Sequence, residues 1–194
     1  MAQDSSKADF WDSRYRDQVT PWDAGKVPAL LQRYADNITP GARILIPGCG
    51  SAHEAAYLAR RGFDVLAIDF SEAAIEVARK NLAGLENHLR VADFFDFDVG
   101  QPYDVIYERA FLCALPPRIW PQYGPRTAQL LRSGGELAGF FFLRQTERGP
   151  PFGVTADALH ALLDPHFALI EDQAVTDSIP VFQGGERWQV WRRH

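Results

Sequence analysis

The sequence holds little that would cross-link a chain, anchor it in a bilayer or draw it to polyanions. It has only two cysteines, Cys49 and Cys113, each in an apolar setting. Two thiols build neither a disulfide framework nor a zinc site, and such scarcity suits a reducing, cytoplasmic location. The five histidines show no paired ligand spacing, so no metal site is predicted. No apolar run is long enough to span a membrane, and the polar AQDSSKA after Met1 is not the opening of a secretory signal. A net charge of −5 without a basic stripe argues against nucleic acid, and Arg192-Arg193 reads as a solvated terminus. Internal repeats and low-complexity tracts are also missing.

What is present suits one packed domain. The chain has 194 residues, 46% of them hydrophobic and 23% charged, enough for a real core. Its centre is the stretch RILIPGCGSAHEAAYLA from Arg43. Ile44-Leu45-Ile46 reads as a buried parallel strand that breaks at Pro47-Gly48-Cys49-Gly50. A helix with Ser51 as its N-cap is expected to follow. The glycines permit a tight turn and close backbone approach to a ligand. A second strand over 64–68 ends in Asp69, and an acid about 20 residues past such glycines is placed to hydrogen-bond a ribose. The pattern therefore predicts a nucleoside-cofactor site.

The remaining elements follow the same alternation. Helices are expected over 9–15, 28–34, from Ser71 as N-cap, over 119–131 and over 155–163. Further strands are expected over 89–92, 103–107, 136–143, 167–170 and 188–191, the last antiparallel at or near an edge. Uniformly apolar strands alternating with helices predict an α/β, doubly wound, mostly parallel sheet covered on both faces. Ligands in such sheets sit beyond the carboxyl ends of the strands. Those ends carry Gly48, Gly50, Asp69, Asp93-Phe94 and Glu108-Arg109. Residues 1–40 read as an N-terminal helical and aromatic lid, with 1–7 expected to be disordered, and 41–194 as the cofactor domain. Trp11, Tyr15 and Trp22 either pack on the sheet's helices or close over a ligand and exclude water.

A dinucleotide fold keeps a third glycine three residues after the second, but His53 stands there, so a ligand smaller than a pyrophosphate dinucleotide fits better. Asp69 suits a ribose diol, and Asp93 with Phe94 suits an adenine. That combination resembles the S-adenosylmethionine methyltransferases of the doubly wound class. The N-terminal FWDSRYRDQVTPWDAG, the PGCG turn, YERAFLCALPP and GPPFGV together resemble the thiopurine S-methyltransferase family, which includes thiol, halide and tellurite enzymes. The likeness runs from about Phe10 to the last strand.

The resemblance implies a seven-stranded sheet with one antiparallel strand, S-adenosyl-L-methionine as cofactor and S-adenosyl-L-homocysteine as product. It assigns Trp11, Trp22, Gly48, Gly50, Asp69, Asp93, Phe94 and Glu108 to cofactor binding. It assigns Tyr15, Arg109 and Phe152 to the acceptor, with Arg109 the candidate catalytic residue. Glu108-Arg109 is similar to the Asp-Arg pair of the thiopurine enzymes, whereas Phe111-Leu112-Cys113-Ala114-Leu115 is closer to the halide and thiol pattern. A methyl group on a sulfonium is already activated, so transfer to a soft nucleophile needs placement rather than a strong base. Arg109 would attract an anionic acceptor and lower a thiol's pKa, or else pair with Glu108 or another acid and order its loop. The acceptor is expected to be a thiol, with halide or tellurite and selenium methylation as the enzymatic alternatives. A cofactor-sensing protein without transfer is the non-enzymatic one. The partners expected are a small-molecule acceptor only, no nucleic acid and no membrane, with the protein acting as a monomer.

Overall fold

Seven strands form a mixed sheet in the order β3-β2-β1-β4-β5-β7-β6, numbered along the chain. The computed structural model describes residues 4–98 and 100–194. No helix among the described residues is long and apolar enough to cross a membrane. By contact density the chain resolves into two compact units, Lys7–Asp98, and Val99–His194 together with Asp4–Ser6. Of the expected lid, residues 1–40, the part from Lys7 onward falls in the same unit as the glycine turn. Of the segment expected to be disordered, residues 1–3 lie outside the described residues. Within the second unit the Asp4 carboxylate accepts from the Arg118 guanidinium at 2.8 Å.

In the first unit, β1 (Arg43–Pro47), β2 (Asp64–Asp69) and β3 (Leu89–Val91) run parallel. The register runs from Arg43 opposite Asp64 to Pro47 opposite Ile68, and from Ala67 opposite Leu89 to Asp69 opposite Val91. Parallel neighbours need crossovers, and two amphipathic helices supply them. They are α3 (His53–Arg60), burying Ala55, Ala56 and Leu58, and α4 (Glu72–Asn81), burying Ala73, Ala74, Ile75 and Ala78. Small residues on these faces let each helix lie close to the sheet. The unit also holds α1 (Ala8–Arg16) and α2 (Ala29–Ala35).

Ser71 caps α4 as expected, its hydroxyl accepting from the Ala74 amide at 3.1 Å. Ser51 does not cap α3. That helix begins two residues later, behind Ala52 in the left-handed region at φ 57°, and no side chain caps it. A serine cap requires extended backbone directly before the helix. The turn instead aims the Ser51 hydroxyl at Asp23, to which it donates.

The second unit holds β4 (Tyr103–Arg109), α5 (Trp120–Leu130), β5 (Leu131–Phe142), α6 (Ala156–Leu163), β6 (Phe167–Ala174) and β7 (Glu186–Arg193). β4 and β5 are parallel, whereas β7 is antiparallel to both β5 and β6. β7 therefore lies one strand in from the edge, which explains its two buried tryptophans, Trp188 and Trp191. Burying side chains of this size contributes about 1.5–3 kcal/mol each. β6, at the edge, buries only Phe167 and then alternates between half-buried and exposed positions, as a strand with one packed face should.

β5 starts at Leu131, five residues before the expected Glu136, because Ser133-Gly134-Gly135 does not end the pairing. The ladder with β4 instead shifts register between Tyr103 and Val105. A Cβ on Gly135 would stand 2.9 Å from the Arg132 carbonyl oxygen and 3.0 Å from that of Asp104, so this irregularity demands a residue without a side chain.

Candidate active site

The glycine turn after β1 is built from left-handed backbone, with φ 58° at Gly48 and 51° at Gly50. The Cys49 amide, between them, donates to the Ile68 carbonyl of β2 at 3.0 Å and ties the turn to the sheet. The Gly50 amide donates to Asp69 Oδ2 at 3.1 Å, and the Ser71 amide donates to Oδ1 at 2.9 Å. Asp69 thus closes the end of β2 against the turn. It is buried and has no ion-pair partner among the described residues. Burial pushes its pKa up to about 6, opposed by those amides and reinforced by the charge of Asp12. A buried carboxylate held by single N–H bonds keeps lone pairs for further donors, the chemistry that a ribose diol requires. On this ground the residues present fit S-adenosylmethionine.

The aromatic segment lies on this turn. The Tyr15 hydroxyl accepts from Trp22 Nε1 at 3.3 Å, and a Cβ on Gly50 would meet that hydroxyl at 2.6 Å. Close approach at Gly50 is therefore made by the protein's own tyrosine. Trp11 and Trp22 stack edge to face at 5.3 Å, and with Val77 they pack around Tyr15, Ala73 and Ala74. The aromatics thus lie on helix α4 and reach the glycine turn.

Two acids that sequence reasoning missed hold the segment in place. Asp12, buried in α1, accepts from the Ser71 hydroxyl at 2.6 Å and the Ala73 amide at 3.1 Å, so it supplements the cap of α4. Asp23 takes the Ser51 hydroxyl and lies 3.3 Å from His53 Nε2. No local signal marks either residue, since their partners stand dozens of positions away. Asp12→Ala would leave two buried donors without an acceptor. We expect it to lower unfolding free energy by about 1–3 kcal/mol in a urea titration. A midpoint equal to the wild type's would remove Asp12 from this role.

Asp93 and Phe94 follow β3. The Asp93 carboxylate is exposed and accepts from the Phe95 amide at 2.8 Å, while the Phe94 ring is buried edge-on to Phe95.

In the second unit the predicted residues gather around the end of β4. Glu108, expected at the cofactor, has partners within its own turn. Its carboxylate is fully buried and accepts from the Leu112 amide at 2.8 Å, with the Tyr123 hydroxyl 3.5 Å away. The acid satisfies amides of the tight turn that follows Arg109, which fixes that turn. Burial raises its pKa to about 8, against the pull of the Leu112 and Phe111 amides and Tyr123.

A folded-state pKa above the ordinary 4.5 means that the folded protein holds this proton more tightly than the unfolded chain. The associated stability is fully present below about pH 4.5 and is lost as pH rises through about 8. Glu108→Gln should flatten the fall in melting temperature across that window. Superimposable pH profiles for variant and wild type would refute the assignment.

Arg109 meets an acid remote in sequence. Its Nε lies 3.8 Å from Glu186 Oε1, at the start of β7, and its guanidinium sits 5.1 Å from the centre of the Phe140 ring. Side-chain exposure is 12% for Arg109 and 3% for Glu186, so this is a largely desolvated pair. Burial raises the Glu186 pKa, while Ser178 and the arginine's charge draw it down. Glu186 is the third residue that the sequence did not disclose.

Phe152 belongs to the same cluster. Its amide donates to the Cys113 carbonyl at 2.6 Å, pinning the 149–152 loop to the turn that Glu108 orders, and its ring fills the space a Cβ on Gly149 would need. Cys49 and Cys113 are both buried free thiols, and burial holds both in the neutral form. No cluster of metal-ligating side chains occurs among the described residues.

The sequence pattern of the thiopurine S-methyltransferase family matches residues 6–194. The chain belongs to this family. It is accordingly a methyltransferase that uses S-adenosylmethionine. A probable thiol methyltransferase 2 of Arabidopsis thaliana is 30% identical over 85% of this chain and 75% of its own length. Thiocyanate methyltransferase 1 of Brassica oleracea is 27% identical over 94% of this chain and 84% of its own. The fold is also similar to that of Burkholderia thailandensis 1,6-didemethyltoxoflavin-N1-methyltransferase, solved with S-adenosylhomocysteine. That likeness has a TM-score of 0.75 at 19% identity, over 96% of this chain and 86% of that one.

Proposed function

We propose that the protein methylates a small thiol, acting as a monomer in the cytoplasm. The observation that carries the acceptor assignment is Arg109, a guanidinium lodged against Phe140 and balanced by Glu186 at the end of β4. A cation on an aromatic wall suits a polarisable sulfur anion and favours the thiolate over the thiol. Glu108, the other acid at that strand end, keeps its proton at neutral pH and is occupied by amides, so it supplies no strong base. An acceptor that ionises readily is then required, and a thiol does so. The two plant relatives carry sulfur acceptors in their names, a thiol and thiocyanate, which agrees with this reading. Two free, buried thiols agree with a reducing compartment.

S-adenosylmethionine supplies a sulfonium-activated methyl group for in-line displacement. Within the chain, Asp69 takes the ribose hydroxyls, Asp93 and Phe94 hold the adenine, and Gly48 and Gly50 present backbone to the methionine portion. Trp11 and Trp22 exclude water over the cofactor, while Tyr15 and Phe152 line the acceptor's approach. Glu108 orders the turn carrying Arg109 and leaves the cofactor to the others.

Labelled S-adenosylmethionine offered with a panel of thiols, thiocyanate, halides and tellurite tests the assignment. Methyl thioethers should dominate. Methyl halide as the main headspace product would reassign the acceptor, and binding without transfer to any soft nucleophile would make the protein a sensor. Light scattering should return a mass near the 21.8 kDa of one chain.

A further inference from the structure

The first unit carries a second concave site, with a charge opposite to that of the chain as a whole. A cavity of about 560 Å³ is lined by ten residues, among them Lys26, His53, Arg60, Arg61, Lys80 and Asn81, and by no acid. The whole chain has three lysines and a net charge of −5, yet two of the three lysines face this one cavity. Of the four permanent cations, Arg61 is neutralised by Asp36 at 2.7 Å, and Arg60 donates to the Asn81 carbonyl at 2.9 Å. Lys26 and Lys80 have no ion-pair partner among the described residues. Like charges gathered in a concavity repel one another, and an anion relieves that repulsion.

We propose that this cavity binds a small ligand bearing a diphosphate group, at a place separate from the methyl-transfer site. The volume lies within the range of small-molecule pockets and exceeds what a single phosphate fills. Lys26, Lys80 and Arg60 together match the charge of a diphosphate. Ammonium groups act as point charges toward phosphate, and Arg60 adds a planar donor. His53 and Asn81 bind the cavity to the glycine turn. His53 faces Asp23, and Asn81 donates to the Ser51 carbonyl at 2.6 Å.

Calorimetry of the full chain with inorganic pyrophosphate, at physiological ionic strength and with or without saturating S-adenosylhomocysteine, tests this. One pyrophosphate should bind per chain, with the affinity unchanged by S-adenosylhomocysteine. Lys26→Ala/Lys80→Ala should weaken it at least about a hundredfold, since each lost charged contact is worth about a factor of ten or more. Lys80→Glu alone, which changes the site's charge by as much, should weaken it comparably, and Lys7→Ala should leave it unaltered. Absence of binding, equal loss in the Lys7 variant, or displacement by S-adenosylhomocysteine would overturn the proposal. The last outcome would move the anion into the methyl-transfer site.

Discussion

Asp69→Asn will weaken S-adenosylhomocysteine binding about a hundredfold, because two hydroxyl donors lose a charged acceptor worth about 1.5–3 kcal/mol each. The wild-type carboxylate sits between the Gly50 and Ser71 amides, with burial raising its pKa to about 6. Two further consequences separate this account from a purely structural one. Wild-type affinity should rise with pH through about 6, as the carboxylate ionises and becomes the better acceptor. The asparagine variant should show no such rise. The folded-state contribution runs the other way: a raised acid pKa makes the protonated form stabilising at low pH, and this is lost as pH increases through about 6. Binding and stability should therefore respond to pH with opposite signs. Calorimetry beside thermal melts across pH 5–8 reads both. An asparagine variant that bound S-adenosylhomocysteine as tightly as the wild type would remove Asp69 from the cofactor site.

Arg109→Ala should lower kcat/KM for the thiol acceptor about a hundredfold while altering cofactor affinity less than about twofold. It should also unsettle the fold. Removing one partner of a desolvated ion pair leaves the other charged group buried alone, at a cost of about 3–5 kcal/mol. Here the stranded group is Glu186, only 3% exposed at its side chain. The pairing makes a specific claim about non-additivity. Arg109→Ala/Glu186→Gln should recover much of the lost stability, because no buried charge remains, yet none of the lost activity. Glu186→Gln alone should raise KM more than it lowers kcat, since it loosens the guanidinium without deleting it. Urea titrations and acceptor kinetics on the four proteins form a complete cycle. Strictly additive stabilities, or full activity in the Arg109 variant, would detach this pair from the proposed chemistry.

The elements that the sequence disclosed are those whose signal is local. Ile44-Leu45-Ile46 can only be a buried strand, and glycines at 48 and 50 permit the left-handed turn found there. Ser71 caps α4 through a contact three residues long, and Thr155 does the same for α6. The acid at the end of β2 follows from parallel alternation, because strand ends in such a sheet fall at intervals set by helix and loop lengths. Where the reading slipped, the competing influence was not local. Ser51 lost its cap because Asp23 claims its hydroxyl. Glycines that read as the end of a turn lie within β5 because the ladder with β4 tolerates a shifted register.

Sequence alone determined the fold class, the glycine turn and the positions of the acids at strand ends, since hydrophobic period and backbone conformation are properties of neighbouring residues. Only the tertiary structure decided which charges meet. It brought Arg109 to Glu186, tied Asp12 to the start of α4, and gathered Lys26, Lys80, Arg60 and Arg61 around one cavity. Electrostatic partners are chosen by distance in space. Residues dozens of positions apart become neighbours only after the parallel crossovers have closed, and no periodicity in the chain records that.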